Sequence, residues 1–177
     1  MNKPYFSYVF KMNQCARQVC KEMLHARGYI VCSDTHSGLV SKYRQDGKWR
    51  LVYTYFVEDT NMNIKTAKKY FMLIKSNDIT HSILVYSGNM TPSARSAFDS
   101  FYDVRIELFS ADVLQFNITK HALVPKHEKV KRSKGIDYTK FPSMKLSDPV
   151  SRFYGFQQGD LVRIHRNDGS IGFRVVR

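Results

Sequence analysis

Residues 49–109 alternate between strand-like and helix-like patterns, and this alternation limits the folds open to the chain. Apolar runs bounded by turn residues predict strands, and apolar residues recurring every three or four positions predict helices. A strand–helix–strand order favours an α/β layer in which helices pack on a sheet. The predicted elements are strand Trp49–Phe56, helix Asn63–Lys75, strand Ile79–Tyr86, a helix starting at Thr91-Pro92, and strand Val104–Phe109.

The residues before this stretch predict a helix and a hairpin. Apolar residues recur at helical spacing over residues 5–27, and Gly28 is a typical helix stop. A short strand follows at Tyr29–Cys32. Val40–Arg44 then pairs with the strand that begins at Trp49, because Asp46-Gly47 between them is a strong hairpin signal.

Positive charge dominates the composition. The 177 residues contain 28 Lys and Arg against 15 Asp and Glu, a formal net charge of +13. Such an excess favours contact with a polyanion, most often nucleic acid, although a charge that maintains solubility or docks on an acidic protein would look the same. Three cysteines without CxxC spacing favour a reduced, intracellular protein. The sequence predicts no membrane span or signal peptide.

The last third of the chain changes character. Ser110 can cap a short helix to about Phe116, and residues 120–134 then contain six Lys or Arg and one acid. Residues 126–147 are interpreted as a basic connector rather than core. Asp148-Pro149 opens a helix that Gly155 ends. Two strands, Asp160–Arg166 and Ile171–Arg177, should pair around a tight turn.

Few residue patterns suggest catalysis. Asp34 together with Asp46-Gly47-Lys48 could form the carboxylate pair and lysine of a Mg²⁺-dependent nuclease, but the hairpin turn explains Asp46-Gly47 better. His121 and His127 lack a third metal ligand at useful spacing. We therefore expect no catalytic residue, no metal site and no cofactor.

Five stretches carry a resemblance to a known family. They are Ile83–Ala94 (ILVYSGNMTPSA), Phe109–His127 (FSADVLQFNITKHALVPKH) and Asp148–Arg166 (DPVSRFYGFQQGDLVRIHR), with weaker support from Lys21–Tyr29 and Ile64–Ile74. In this order they resemble the fifth small subunit shared by the nuclear DNA-dependent RNA polymerases I, II and III. The C-terminal part is similar to a small subunit of archaeal RNA polymerase.

The resemblance implies a mixed α/β fold in two domains. Residues 1–117 would form a jaw domain of nuclease-like α/β topology without a working active site. Residues 118–147 would be the basic connector with its LVPKH segment, and residues 148–177 the remainder of a small α+β assembly domain. The implied function is a non-catalytic polymerase subunit that supports assembly on the largest subunit and guides downstream DNA.

The resemblance also implies site residues and partners. The partners would be the largest and other core polymerase subunits and the phosphate backbone of downstream duplex DNA, with no membrane and no homo-oligomer. Compartments would be the nucleus or, for a large DNA virus, a cytoplasmic virus factory or the virion. The residues near DNA would be Thr91, Pro92, Ser93, Ala94 and Arg95, and those for assembly His121, Pro125, His127, Asp148, Pro149, Arg163 and Arg166.

The sequence departs from the family pattern in two places. The connector between LVPKH and DPV is shorter than the family usually has, and the terminus is trimmed, which suggests a compacted lineage.

Thr91-Pro92 could also be an ordinary helix cap with no role in DNA contact. The rival functions are a stand-alone basic DNA-binding or Mg²⁺-dependent nuclease-like protein, and a free adaptor between polymerase and its regulators.

Overall fold

The chain folds into two compact units, residues 1–116 and 117–177. The computed structural model describes residues 3–57, 59 and 61–177, and side chains 3–13 of the first helix lie outside this description. The sequence places the boundary one residue later, after residue 117. No helix within the described residues is long and apolar enough to cross a membrane.

The first unit is a mixed α/β structure. The elements within its described residues are α1 (Lys3–Ala26), β1 (Ile30–Thr35), β2 (Gly38–Gln45), β3 (Lys48–Val57), β4 (Asn61–Met62), α2 (Ile64–Ser76), β5 (His81–Tyr86), β6 (Asn89–Met90), α3 (Pro92–Asp99) and β7 (Arg105–Ser110). Its five-stranded sheet has the order β1-β2-β3-β5-β7, and a short two-stranded ladder joins β4 to β6.

The sheet has an antiparallel half and a parallel half. β1, β2 and β3 pair antiparallel, with Asp46 and Gly47 at positive φ in the turn between β2 and β3. β3, β5 and β7 pair parallel, and α2 and α3 make the two crossovers between them. The predicted hairpin, both predicted helices and the α/β layer are therefore confirmed. The predicted helix after Ser110 is wrong, because residues 111–116 form turns closed by i+3 hydrogen bonds such as Val113 N to Ser110 O.

α2 and α3 cover the parallel half on one face. Ala67, Tyr70 and Ile74 of α2 share a buried cluster with Ala94 and Phe98 of α3. Side chains alternate along β3 and β5, so Leu84 and Tyr55 point toward these helices while Val52 and Ile83 point away. This cluster includes residues of β3, β5 and β7 but none of β1 or β2, so within the described residues α2 and α3 cover the parallel half of the sheet and not the antiparallel edge.

α1 lies on the opposite face. Its described inward residues, Ala16, Val19, Cys20 and Met23, are buried. The helix ends where Gly28 takes a positive φ and Tyr29 N bonds to Leu24 O at 2.8 Å. Residues Tyr5, Val9 and Met12 of the predicted helical stripe lie among the side chains outside the description. Cys15 is exposed, so burial does not protect this thiol.

A buried ion network ties the end of α1 to the sheet. Arg27 donates two hydrogen bonds to the Glu107 carboxylate at 2.9 and 3.0 Å. His81 on β5 approaches the same carboxylate at 2.8 Å, and Arg105 approaches it at 3.0 Å. Burial raises the pKa of Glu107, but hydrogen bonds from His81 and Arg27 and the nearby cationic charges outweigh it and hold that pKa well below its usual range.

The second unit contains short helices and a small sheet. The elements are η1 (Ile118–Lys120), β8 (Lys126–Val130), η2 (Tyr138–Lys140), β9 (Ser143–Met144), α4 (Pro149–Tyr154), β10 (Leu161–His165) and β11 (Ile171–Val176), where η marks a 3₁₀ turn. The four strands have the order β8-β10-β11-β9. The core contains Met144, Val150, Phe156, Val162, Ile164 and Val176. The predicted α4 and the β10–β11 hairpin are confirmed.

The segment interpreted as a connector differs from expectation. Residues 126–130 form strand β8, which pairs antiparallel with β10, and residues 143–144 form β9, which pairs parallel with β11. Both ends of the segment are therefore part of the sheet. The sequence conceals β8 because an edge strand with one solvated face tolerates the charged pattern Lys-His-Glu-Lys. Residues 131–142 connect these two strands.

Candidate functional site

The starts of helices α2 and α3 lie side by side at one edge of the sheet of the first unit. β4 and β6 pair parallel just beyond the carboxyl ends of β3 and β5. The next residues are the helix caps, Asn63 for α2 and Thr91 for α3. Thr91 N bonds to Met62 O at 3.0 Å, which holds the two caps together. We call this the carboxyl edge; in α/β sheets it is the usual place for ligands.

Thr91 organises the first turn of α3. Its hydroxyl accepts a hydrogen bond from Ala94 N at 3.3 Å, and its carbonyl accepts one from Arg95 N at 3.1 Å. Pro92 supplies no amide hydrogen and fixes φ at the first helical position. Thr91 therefore satisfies the backbone amides of Ala94 and Arg95, which are then not free to bind a phosphate. The capped-helix interpretation is confirmed, and the DNA contact stays a prediction.

The side chains of the five predicted DNA-proximal residues differ in exposure. Pro92, Ser93 and Arg95 are exposed and Thr91 is half-buried, whereas Ala94 is buried against the core of the first unit. Ala94 can therefore reach a ligand only through its backbone. The exposed three lie on one helical turn, with Arg95 as their cation.

Neither helix start carries an acid. The first turns of α2 and α3 contain no Asp or Glu, although acids are favoured there by the helix dipole. Exposed Lys65 of α2 instead adds a cation beside that of Arg95. The carboxyl edge thus combines two positive helix ends with two basic side chains, an arrangement that attracts phosphate. The α2 contribution was not predicted from the sequence, although Asn63 followed by Lys65 was its visible signal.

The LVPKH segment of the second unit is held by local histidine contacts. His121 Nδ1 accepts a hydrogen bond from Leu123 N at 3.2 Å, and its side chain is exposed. His127 Nδ1 lies 2.7 Å from Pro125 O, so that nitrogen carries a proton and donates it. His127 also sits in β8 opposite Ile164. His121 and His127 therefore fix the backbone that leads into strand β8.

Asp148 and Pro149 form the start of α4. The Asp148 carboxylate accepts a hydrogen bond from Val150 N at 2.8 Å, and Pro149 occupies the first turn. Gly155 ends the helix in the left-handed conformation. The geometry gives Asp148 a capping role, and Pro149 remains exposed.

Arg163 lies on the sheet face that points away from the core. Its guanidinium donates to Glu128 at 2.8 Å, and His165 lies 3.4 Å from the same carboxylate. Hydrogen bonds from Arg163 and His165 hold the pKa of Glu128 below its usual range. Beside Arg163 and His165 on β11 stand Phe173 and Ile171, 38% and 55% exposed. We call Glu128, Arg163, His165, Ile171 and Phe173 the outer face.

Arg166 does not share this face with Arg163. Its guanidinium bonds to Ser170 Oγ at 3.2 Å across the β10–β11 turn. The same group lies over Gly172, where an added Cβ would stand 2.9 Å from it. Gly172 pairs with Ile164, so Arg166 belongs to the side of the core. Arg166 therefore braces the β10–β11 turn, whereas Arg163 belongs to the outer face.

The structure separates the residues of the nuclease hypothesis. Asp34 pairs with Leu39 at the start of β2, whereas Asp46 follows the far end of β2. Seven strand residues between them correspond to about 23 Å. Arg17 and Lys21 both form ion pairs with Asp34. Within the described residues, no three His, Cys, Asp or Glu side chains are grouped to hold a metal ion.

Comparison with known proteins identifies relatives. Residues 116–176 match the family model described as RNA polymerase Rpb5, C-terminal domain. A Dictyostelium discoideum protein named DNA-directed RNA polymerases I, II, and III subunit rpabc1 is 28% identical over 178 residues, covering 88% of this chain and 90% of that protein. The Caenorhabditis briggsae protein of the same name is 27% identical over 189 residues, covering 88% and 89%.

A viral protein is similar over the same length. It comes from Invertebrate iridescent virus 6, its name also describes a DNA-directed RNA polymerase subunit, and it is 25% identical over 179 residues, covering 90% of this chain and 97% of its own. The second unit thus coincides with the stretch that matches the Rpb5 C-terminal domain model. The resemblance of the chain to the shared subunit of RNA polymerases I, II and III is confirmed over most of its length.

Proposed function

We propose that this chain is a non-catalytic subunit of DNA-directed RNA polymerase. The observation that carries the proposal is the match of residues 116–176 to the Rpb5 C-terminal domain, extended by relatives that align with about nine-tenths of the chain. In this role the second unit docks on the largest subunit and the first unit guides downstream DNA. Nuclear residence fits the cellular relatives; a cytoplasmic virus factory or virion fits the viral one.

The outer face supports the docking role. Ile171 and Phe173 expose apolar area beside a charged network of Arg163, Glu128 and His165. An apolar centre with a polar rim is the usual composition of a stable protein interface. The ring of Phe173 also lies 6.4 Å from Phe141, which limits its freedom and lowers the entropy cost of binding.

Co-purification tests the docking role. The tagged chain, washed at about 1 M salt where the Debye length is near 3 Å, should retain the two large polymerase subunits at equal stoichiometry. Phe173→Glu should reduce their recovery about tenfold, since it removes a central apolar anchor. The matched control is Ile136→Glu, at an exposed isoleucine that lies outside the outer face and outside the predicted assembly residues. Recovery of nucleic acid alone, lost at high salt, would identify a stand-alone DNA binder and refute the proposal.

The carboxyl edge supports the DNA role. Two helix starts, Lys65 and Arg95 present positive charge without an acid in either first turn. Contacts of this kind neutralise phosphates and read no bases, so they position duplex DNA without sequence preference. A few such contacts give weak affinity alone, in the range of about 10⁻⁴–10⁻⁶ M.

Salt-dependent binding tests the DNA role. Duplex affinity of the full chain should fall with salt, and Arg95→Glu should reduce the slope of log K against log salt by about 1. Lys75→Glu makes the same charge change at the opposite end of α2, and it should leave the slope close to that of the unmodified protein. An equal reduction of the salt slope in both variants would mean that only net charge matters and that the carboxyl edge is not the DNA contact.

A further inference from the structure

A groove in the first unit has no role in the functions proposed above. It has a volume of about 440 Å³ and lies between the outer flank of α2 and strands β2 and β3. Val40, Tyr53 and Tyr55 line its strand side, and Tyr70 and Leu73 line its helix side. The carboxyl edge and the outer face contain none of these residues.

The groove continues onto an uncovered part of the sheet. α2 and α3 lie over the parallel half, so the face of β1 and β2 beside α2 carries no helix from the described part of this chain. Side-chain alternation places Trp49 and Leu51 on the same face as Tyr53, and Leu51 pairs with Lys42 of the neighbouring strand β2. Trp49, Leu51 and the neighbouring Ile30 are each about half exposed. The apolar floor therefore has room for one more helix beside α2.

The rim of the groove is basic. Lys69 is the charged residue among the described groove residues, and Lys42 and Arg44 follow on the same face of β2. Within the described residues, Asp59 is an acid near this basic rim. Its carboxylate lies 3.7 Å from the Lys69 ammonium, and both side chains are well exposed. An exposed pair at that distance binds weakly and can be exchanged for another carboxylate. The groove is therefore complementary to an apolar stripe flanked by acids.

Ring contacts argue against nucleic acid in this groove. Stacking of bases needs an open aromatic face. Lys42 covers the ring of Trp49 at 4.8 Å. Tyr55 packs against Tyr53 at 6.2 Å and against Tyr70 at 5.9 Å. The tyrosine rings thus pack on one another and the Trp49 ring packs on a lysine, a surface that suits aliphatic side chains better than stacked bases.

We propose that this groove binds an acidic amphipathic helix of a partner protein. Leucine-type side chains at positions i, i+3, i+4 and i+7 of the helix would lie on Val40, Tyr53 and Leu73, and its flanking acids would face Lys42 and Lys69. The helix would pack beside α2 and complete the helical layer over the antiparallel half of the sheet. This role is separate from docking on polymerase and from DNA contact.

A designed peptide tests the proposal on the full chain. The probe is a fluorescent 16-residue helix, of about four turns, with leucines at i, i+3, i+4 and i+7 spacing and glutamates on its flanks. It should bind the protein, and the same helix with lysines in place of glutamates should bind about tenfold more weakly. Leu73→Arg and Lys69→Glu should each weaken binding of the acidic helix about tenfold.

Neighbouring residues on α2 supply the controls. Met72→Arg and Lys68→Glu make the same changes one position away, on exposed residues that do not line the groove. They should change affinity less than about twofold. Equal loss in all four variants, or no binding of the acidic helix, overturns the proposal.

Three further measurements separate the other occupants. Displacement of the acidic helix by single-stranded oligonucleotide, self-association abolished by Leu73→Arg, or loss of polymerase co-purification in Leu73→Arg would each assign the groove to another occupant and refute the partner helix. Retained co-purification together with the peptide result supports it. Because co-purification is read separately, failure of the peptide experiment leaves the polymerase proposal standing.

Discussion

At the scale of single residues, Glu107 is a buried carboxylate surrounded by three basic side chains of the first unit. Its carboxylate receives contacts from Arg27, His81 and Arg105, and the Arg27 side chain is almost fully buried. Removing one partner of a buried ion pair leaves the other charge without compensation in a medium of low polarity. We therefore expect Glu107→Gln to lower the free energy of unfolding by about 3 kcal/mol at pH 7.

The pH dependence of this effect has a defined sign. The pKa of Glu107 is lower in the folded protein than in the unfolded chain, so its stabilisation is complete above the unfolded pKa near 4.3 and is lost as pH falls below it. Denaturant unfolding measured between pH 7 and pH 3 should show the difference between the protein and Glu107→Gln narrowing. If the difference in free energy of unfolding stays constant between pH 7 and pH 3, the Glu107 carboxylate is not the group that supplies this stability.

At the scale of elements, local chemistry made most helices and strands predictable. Asn63, Thr91 and Asp148 all cap helices as their sequence positions indicate, and Asp46-Gly47 forms the expected hairpin turn. β8 was missed because its charged residues are tolerated at a sheet edge, and β9 is two residues long. Such strands are fixed by their partners in the sheet, which a local pattern does not contain.

The cap of α3 gives a prediction at this scale. Thr91→Ala removes the hydroxyl that accepts from Ala94 N, and it should lower the free energy of unfolding by about 1 kcal/mol. Thr91→Ser keeps the hydroxyl and should retain most of the stability. Thermal or urea unfolding of the two variants measures the difference. Equal destabilisation in both would show that the methyl group, rather than the cap, is what matters.

At the scale of the whole molecule, the order of elements was predictable but the grouping of site residues was not. The sequence motif groups Arg163 with Arg166, yet the pairing of β10 and β11 puts them on different sides of the sheet. The motif around Thr91 likewise includes Ala94 in a ligand surface, although the helix turns that side chain into the core. Grouping depends on strand register and helix rotation, which a few residues of motif do not determine.

The second unit should fold without the first. All strands of its sheet lie within residues 126–176, and its core cluster comes from the same range or from residues 118–124. A fragment of residues 117–177 should show a cooperative thermal transition by circular dichroism, with modest stability because small domains bury less surface. The fragment 117–170 lacks β11 and should remain unfolded. A non-cooperative transition in the longer fragment would contradict this expectation.

The path between β8 and β9 has an evolutionary consequence. These strands are the two outermost members of the sheet, and residues 131–142 connect them across three strand spacings, about 14 Å. About five extended residues would span that distance, so the 12 present leave slack. Ser133 and Tyr138 close part of this slack into a small side loop. Homologous chains can therefore lengthen or shorten here while every strand keeps its neighbour, and gaps between related sequences should collect at this loop.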